Sequence, residues 1–234
     1  MFDPVALRAR LNGVRERIAR AAGRAGRDPA SIRLVAVSKT FSADHVRAAA
    51  DAGQIDFGEN KVQEALEKME QTASLPLRWH LIGHLQSNKA KKAAAQFHAI
   101  HSIDSSALLE KVDAAATAAA HPLDLLVQVD LAGEPTKHGA PVEALDGILQ
   151  QAQASHTARM TGLMMLPPVG TPEQARPYFR RLREVRDELV ARGAATALLS
   201  ELSMGMSLDF EVAIEEGATL VRVGSAIFGE RSYV

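Results

Sequence analysis

Lys39 closes the apolar run Ile32-Arg33-Leu34-Val35-Ala36-Val37-Ser38, which reads as a buried parallel strand carrying one amine to its carboxyl end. An amine held there, partly out of water, has its charged form disfavoured and can act as the nucleophile of a Schiff base. Taken alone, that strand end favours a lysine that merely snorkels into solvent. The rest of the chain reverses the preference.

Other polar clusters also follow apolar runs. They are Phe57-Gly58-Glu59-Asn60, Gly83-His84-Leu85-Gln86-Ser87-Asn88-Lys89, Asp130 with the stretch to Lys137-His138-Gly139, Ser203-Met204-Gly205-Met206-Ser207, and Arg222-Val223-Gly224-Ser225. Ser203 with Gly205, and Gly224 with Ser225, combine small hydroxyls with glycines that let backbone amides approach an anion. A tight strand-to-helix turn is the plain alternative for Gly224 and Ser225. The occurrence of both pairs after the last two apolar runs favours a phosphate. Arg222 lies two residues before Gly224, on the same side of a strand. Its permanent charge needs a polar partner, either an inward carboxylate such as Glu59, Glu201 or Asp130, or a heteroatom of a ligand.

These clusters need elements that bring them together. Apolar runs predict strands at 32–38, 55–57, 78–82, 99–103, 124–130, 158–164, 197–201 and 219–223. Helical patterns fall between them at 43–52, 60–71, 87–95, 105–119, 141–153, 172–192 and 208–216, with an extra helix near 4–24. Strict alternation implies a parallel sheet, and eight units favour a (β/α)8 barrel of the TIM type over a flavodoxin-like sheet. No linker, low-complexity tract or repeat divides residues 1–234, so one domain is expected. In such a barrel the clusters converge on the rim at the carboxyl ends of the strands, and the loops after strands seven and eight frequently bind phosphate. A closed barrel leaves no sheet edge to pair, which points to a monomer.

Composition removes several classes. With 234 residues, 47% hydrophobic and 24% charged, the chain can bury a sizeable core. Its net charge of -1 offers no general field for nucleic acid or an anionic membrane. It has no cysteine, which excludes disulfides and thiolate chemistry and fits a reducing cytoplasm. The N-terminal stretch is arginine-rich and lacks a signal-peptide core, and no run spans a bilayer, so a cytoplasmic location is expected. His80 and His84 have the i, i+4 spacing of zinc ligands, but Leu81 stands where a metalloprotease has its glutamate, and no metal is expected. Walker, dinucleotide-binding and nucleophile-elbow motifs are absent. The arginines of 176–186, interleaved with Glu184, Asp187 and Glu188, read as a solvated helix face. Met164, Met165, Met204 and Met206 read as core or pocket wall, and Trp79 as core.

Val35-Ala36-Val37-Ser38-Lys39-Thr40, Phe57-Gly58-Glu59-Asn60, Trp79-His80-Leu81-Ile82-Gly83-His84-Leu85-Gln86-Ser87-Asn88-Lys89, Leu202-Ser203-Met204-Gly205-Met206-Ser207 and Val221-Arg222-Val223-Gly224 carry a resemblance. Together they resemble the pyridoxal phosphate homeostasis protein family, also called YggS-like or proline-synthase co-transcribed, over about residues 32–231. The resemblance implies a single-domain barrel related to the N-terminal domain of alanine racemase, binding pyridoxal 5'-phosphate. By motif position Lys39 would be the Schiff-base lysine, Arg222 would face the pyridine nitrogen, and Asn60 would lie against the cofactor. Ser203, Gly224 and Ser225 would take the phosphate. His84, Ser87, Lys137, Met204 and Gly205 are secondary candidates at the pocket. Phe41-Ser42 replaces the Lys-Pro usual after the lysine motif, and Lys61 the tyrosine usual after Gly-Glu-Asn, which alters the expected pocket rim.

A cationic arginine beside the pyridine nitrogen disfavours its protonation and weakens the ring as an electron sink. The sequence runs only a little past strand eight, so the further domain that supplies the second base in alanine racemase is expected to be lacking. The expectation is therefore a carrier that holds pyridoxal 5'-phosphate reversibly on Lys39 without established turnover, with pyridoxal-phosphate-dependent apoenzymes as recipients. A slow amino-acid racemase is the enzymatic alternative. A phosphosugar-binding barrel enzyme, with Lys39 linked to substrate, is the third class.

Overall fold

The protein, described by a computed structural model over residues 2–133 and 138–230, builds the expected alternation from short apolar strands. These are β1 (Arg33–Val37), β2 (Asp56–Glu59), β3 (Arg78–Leu81), β4 (Ala99–Ile103), β5 (Leu123–Gln128), β6 (Ala158–Met164), β7 (Glu201–Ser203) and β8 (Leu220–Val223). All pair in parallel in chain order, and β8 returns to β1 with Arg33 opposite Leu220 and Ala36 opposite Val223, closing the barrel. Parallel neighbours require crossovers, and α2 (Ala43–Asp51), α3 (Val62–Gln71), α4 (Ala90–Ala94), α5 (Ser106–Ala119), α6 (Leu145–Gln153), α7 (Pro172–Ala191) and α8 (Phe210–Glu215) supply them.

The N-terminal helix α1 (Pro4–Arg24) begins with Asp3 accepting the Val5 and Ala6 amides and Pro4 in the first turn. Its buried stripe, Leu7, Leu11, Val14, Ile18 and Ala21, follows the 3.6-residue period. That stripe packs against α2, α8 and the short α9 (Ser225–Phe228), so α1 covers the seam where β8 meets β1. Arg10 Nε reaches the Ile227 carbonyl at 2.7 Å and fastens α9 to it. Among the described residues no helix is long and apolar enough to cross a membrane.

Three expectations shift. The seventh strand is not 197–201: Thr196–Leu199 forms a 3-10 turn and pairing begins at Glu201. A continuous apolar run has no period to separate the two, and Ser200 Oγ donating to the Thr161 carbonyl turns the chain into the barrel only at its end. The second strand runs on through Gly58 and Glu59, so of the Phe57-Gly58-Glu59-Asn60 cluster only Asn60 lies beyond it. Helices expected at 87–95 and 141–153 each open with a 3-10 turn, at Ser87–Lys89 and Val142–Ala144.

Candidate functional site

Residue alternation divides the strand ends. Ser38 and Glu59 point outward, toward α3, while Val37 and Lys39 turn to the inside. Two carboxylates hold the end of β1 from the outer side. Lys68 on α3 donates to the Ser38 carbonyl at 2.8 Å, to Glu59 Oε1 at 2.7 Å and to Glu64 Oε1 at 2.8 Å. Ser38 Oγ donates to Glu59 Oε1 at 2.6 Å, and the Thr40 amide donates to Glu64 Oε1 at 2.5 Å. Burial raises the Glu59 carboxyl above its ordinary value although Lys68 and Ser38 pull the other way. Thr40, the residue after Lys39, adopts φ 72°, a left-handed conformation that a threonine keeps only when its surroundings impose it.

On the inner side, Lys39 lines a cavity of about 450 Å³ together with Asn60, Arg222, Gly224 and Ser225. Asn60 is placed by Gly83, where a side-chain carbon would stand 2.3 Å from the Asn60 carbonyl oxygen. The wall also holds Val37, Ile82, Leu166, Ser207 and Asp209. Ser207 belongs to the segment 203–207 quoted after the seventh strand but is not singled out there, and Asp209 falls in the stretch expected as the helix 208–216. Ser207 Oγ accepts the amides of Gly224 at 3.1 Å and Ala226 at 3.3 Å, while Asp209 Oδ1 accepts the Met206 amide at 2.6 Å. Burial raises the Asp209 carboxyl, opposed by the Met206 amide and by Arg222.

Arg222 is 2% exposed, and none of the expected carboxylates meets it. Its Nη1 donates to Ser203 Oγ at 2.6 Å and its Nη2 to the Met165 carbonyl at 2.9 Å. Burial lowers its pKa to about 10, so it stays cationic at neutral pH. Glu59 is taken by Lys68, Glu201 faces Arg33 at 3.5 Å, and Asp130 Oδ1 accepts the Ala132 and Gly133 amides.

The other expected residues disperse. Ser203 ends β7 with its hydroxyl inside the barrel, held between Arg222 and His101, and does not line the cavity. Met204 is buried, and Gly205, at φ 91°, offers its carbonyl to the Arg222 amide at 2.9 Å. A side-chain carbon on Gly205 would stand 2.6 Å from Ala213 Cβ, so both its conformation and the packing require glycine. Ser87 is exposed at the start of its 3-10 turn. His84 stacks on His138 at 3.6 Å with the rings 11° apart, and its Nδ1 lies 3.6 Å from Asp104. The ligand atoms of these three lie within 4.8 Å of one another, but stacked rings aim their in-plane lone pairs side by side rather than at a shared ion. His80 lies inside the barrel, so it and His84 never converge. Lys137 lies outside the described residues. The altered rim positions face elsewhere: Phe41 packs on His45 and Phe228, Ser42 Oγ meets His45 Nδ1 at 2.9 Å, and Lys61 precedes α3.

The surface arginines also differ from expectation. Arg176 and Arg180 meet Glu216 at 3.3 Å and 2.9 Å, and Arg183 does so at 3.4 Å, which clamps α7 to the end of α8 rather than leaving a solvated face.

Comparison with known proteins agrees with this geometry. Residues 10–232 match the family model of the alanine racemase N-terminal domain. The pyridoxal phosphate homeostasis protein of Aquifex aeolicus is 44% identical over 96% of this chain and 98% of its own. That of Pseudomonas aeruginosa is 44% identical over 94% of each. The solved structure of PipY from Synechococcus elongatus PCC7942 with PLP bound superposes with a TM-score of 0.85 at 40% identity, covering 95% of this chain and 100% of PipY. Alanine racemase from Clostridium difficile 630, at 15% identity and a TM-score of 0.70, shares the fold. The barrel, its rim lysine and these relatives together place the chain in the pyridoxal phosphate homeostasis protein family.

Proposed function

We propose that the protein binds pyridoxal 5'-phosphate in the rim cavity, holds it through Lys39, and serves pyridoxal phosphate homeostasis by retaining and releasing it without turnover. The observation that carries this reading is the convergence of Lys39 and Arg222 on one cavity with Asn60, Ser207, Gly224 and Ser225. The donor set suits the group: an amine for an aldehyde, a guanidinium for a ring nitrogen, and hydroxyls with a glycine amide for a phosphate.

When bound, the cofactor supplies an aldehyde that condenses with a lysine amine, forming a carbon–nitrogen double bond and releasing one water, and hydrolysis reverses the step. The chain's own residues do the rest. The outward network at Ser38, Glu59, Glu64 and Lys68 holds the backbone on both sides of Lys39. Arg222, cationic and fixed by Ser203 and Met165, would hold the ring nitrogen and disfavour its protonation. Gly224, Ser225 and Ser207 would hold the phosphate. Ser203 supports Arg222 from within the barrel. Release to pyridoxal-phosphate-dependent apoenzymes completes the role.

A holding role also suits the remaining titratable side chain of the cavity. Asp209 Oδ1 already accepts the Met206 amide, so that carboxyl is engaged in holding the loop after β7.

The test is an absorbance spectrum after incubation with pyridoxal 5'-phosphate, followed by borohydride reduction and peptide mapping, in wild type and Lys39→Ala. A new band in wild type alone, with the reduced adduct on Lys39, is expected. No band, or adducts spread over surface lysines, overturns the assignment, and loss of α-deuterium from an amino acid moves it to the racemase.

A further inference from the structure

Below the cavity, an unbroken row of polar side chains crosses the inside of the barrel. Arg222 on β8 donates to Ser203 Oγ on β7, and His101 on β4 meets the same hydroxyl through Nδ1 at 2.9 Å. His101 Nε2 lies 3.0 Å from His80 Nδ1 on β3, and His80 Nε2 lies 2.9 Å from Asp56 Oδ1 at the start of β2. Arg78 Nη2, half exposed at the amino-terminal face, donates to Asp56 Oδ2 at 2.7 Å. From Asp56 to Arg222 every member is at most 5% exposed.

The chemistry of these groups sets the direction of the row. A guanidinium can only donate, so Ser203 Oγ accepts from Arg222. Asp56 can only accept when ionised. Burial would raise its carboxyl, but hydrogen bonds from His80 and Arg78 outweigh that and hold it below the ordinary range. His80 Nε2 therefore donates to Asp56. Burial, then the charges of His80 and Arg222, push His101 well below its ordinary value and leave it neutral. Where Nε2 carries the single ring proton of His80, one assignment satisfies every contact: His101 Nε2–H donates to His80 Nδ1, and the Ser203 hydroxyl donates to His101 Nδ1. All donors then point from the cavity toward Asp56.

We infer that His101 and His80, anchored by Asp56, are positioning residues for Arg222. By taking the Ser203 proton they hold the serine lone pair on Arg222 Nη1, and with the Met165 carbonyl this fixes the plane of the guanidinium. They also connect a buried cation, with no carboxylate in hydrogen-bond contact among the described residues, to Asp56 through groups that polarise one another. The inference rests on the cavity being the pyridoxal 5'-phosphate site.

Two measurements test it. Long-range nitrogen-15 NMR of the wild-type protein reads the ring tautomers, and both histidines are expected to carry their ring proton on Nε2. A proton on Nδ1 of His101 overturns the directed row without any substitution. Spectroscopic titration with pyridoxal 5'-phosphate then compares His101→Leu with His101→Asn, whose side-chain oxygen can take the place of Nδ1. His101→Leu is expected to bind roughly tenfold more weakly, about the effect of one hydrogen bond, with a shifted band, and His101→Asn to recover most of both. A His101→Leu protein with wild-type affinity and spectrum overturns the inference alone. A wild-type protein that takes up no cofactor overturns the reading of the site and this role with it.

Discussion

Between strands and helices lies a continuous apolar layer, reaching from Leu7 and Leu11 on α1 through Phe57 and Trp79 to Phe179 on α7 and Phe210 on α8. Inside the strands, Val35, Leu126, Met164 and Leu220 form a small apolar cluster, and much of the rest is crossed by Asp56, His80, His101, Ser203 and Arg222. Barrel interiors are ordinarily filled by layers of branched apolar side chains. Here the outer layer carries the stabilising burial, and the inner space is given over to orienting one cation at the rim. Stability and chemistry therefore occupy opposite sides of the same strands.

Substitutions on either side can break or sharpen that division. Phe179→Ala empties a fully buried site in the outer layer and is expected to lower unfolding free energy by about 3–5 kcal/mol in urea titration. The folded fraction should bind pyridoxal 5'-phosphate as wild type does, and a parallel loss of affinity would show that the compartments are coupled. Lys68→Met probes the polar exception in the outer layer. It leaves Glu59 buried without its cation, a loss on the order of 3–5 kcal/mol at neutral pH. The sign with pH follows from the raised Glu59 carboxyl. Its penalty is felt above its folded-state pKa and fades as pH falls through that value, because a protonated carboxyl needs no cation. A deficit that stayed constant in acid would show that the loss is packing, not charge. Smallest is Arg181→Ala, which removes an exposed pair with Glu188 and should leave both melting temperature and cofactor affinity unchanged.

The outer layer was the more legible of the two. Its residues fall at alternate strand positions and at helical spacing, so the strands near 32–38, 78–82, 99–103 and 219–223 and the long helices at 4–24 and 172–192 emerge within a residue or two. Lys39, Asn60, Arg222, Gly224 and Ser225 were readable because barrel geometry sends strand ends to one rim. Ser203 ends β7 instead of following it; the seventh strand was placed too early, which turned an inward strand residue into a loop residue. Ser207 lay within the segment 203–207 without being singled out, and Asp209 falls in the first turn of the helix expected at 208–216. His101 passed unremarked, yet a signal existed: Asp56, His80, His101 and Arg222 interrupt runs read as buried strands. A charged or imidazole side chain in a buried strand needs a partner, and four such interruptions, on β2, β3, β4 and β8 of one closed barrel, imply that they find partners inside it. The α9 helix, four residues long, is below what periodicity can detect.

The cavity presents Lys39 as its amine, so under the proposed role each chain carries one molecule. Storage of that kind is counted in copies of the protein rather than in turnovers. Half the copies are filled when the free ligand equals the dissociation constant, and the response to a surplus or a shortage is steepest there. Each further molecule held in reserve then requires another barrel to be synthesised.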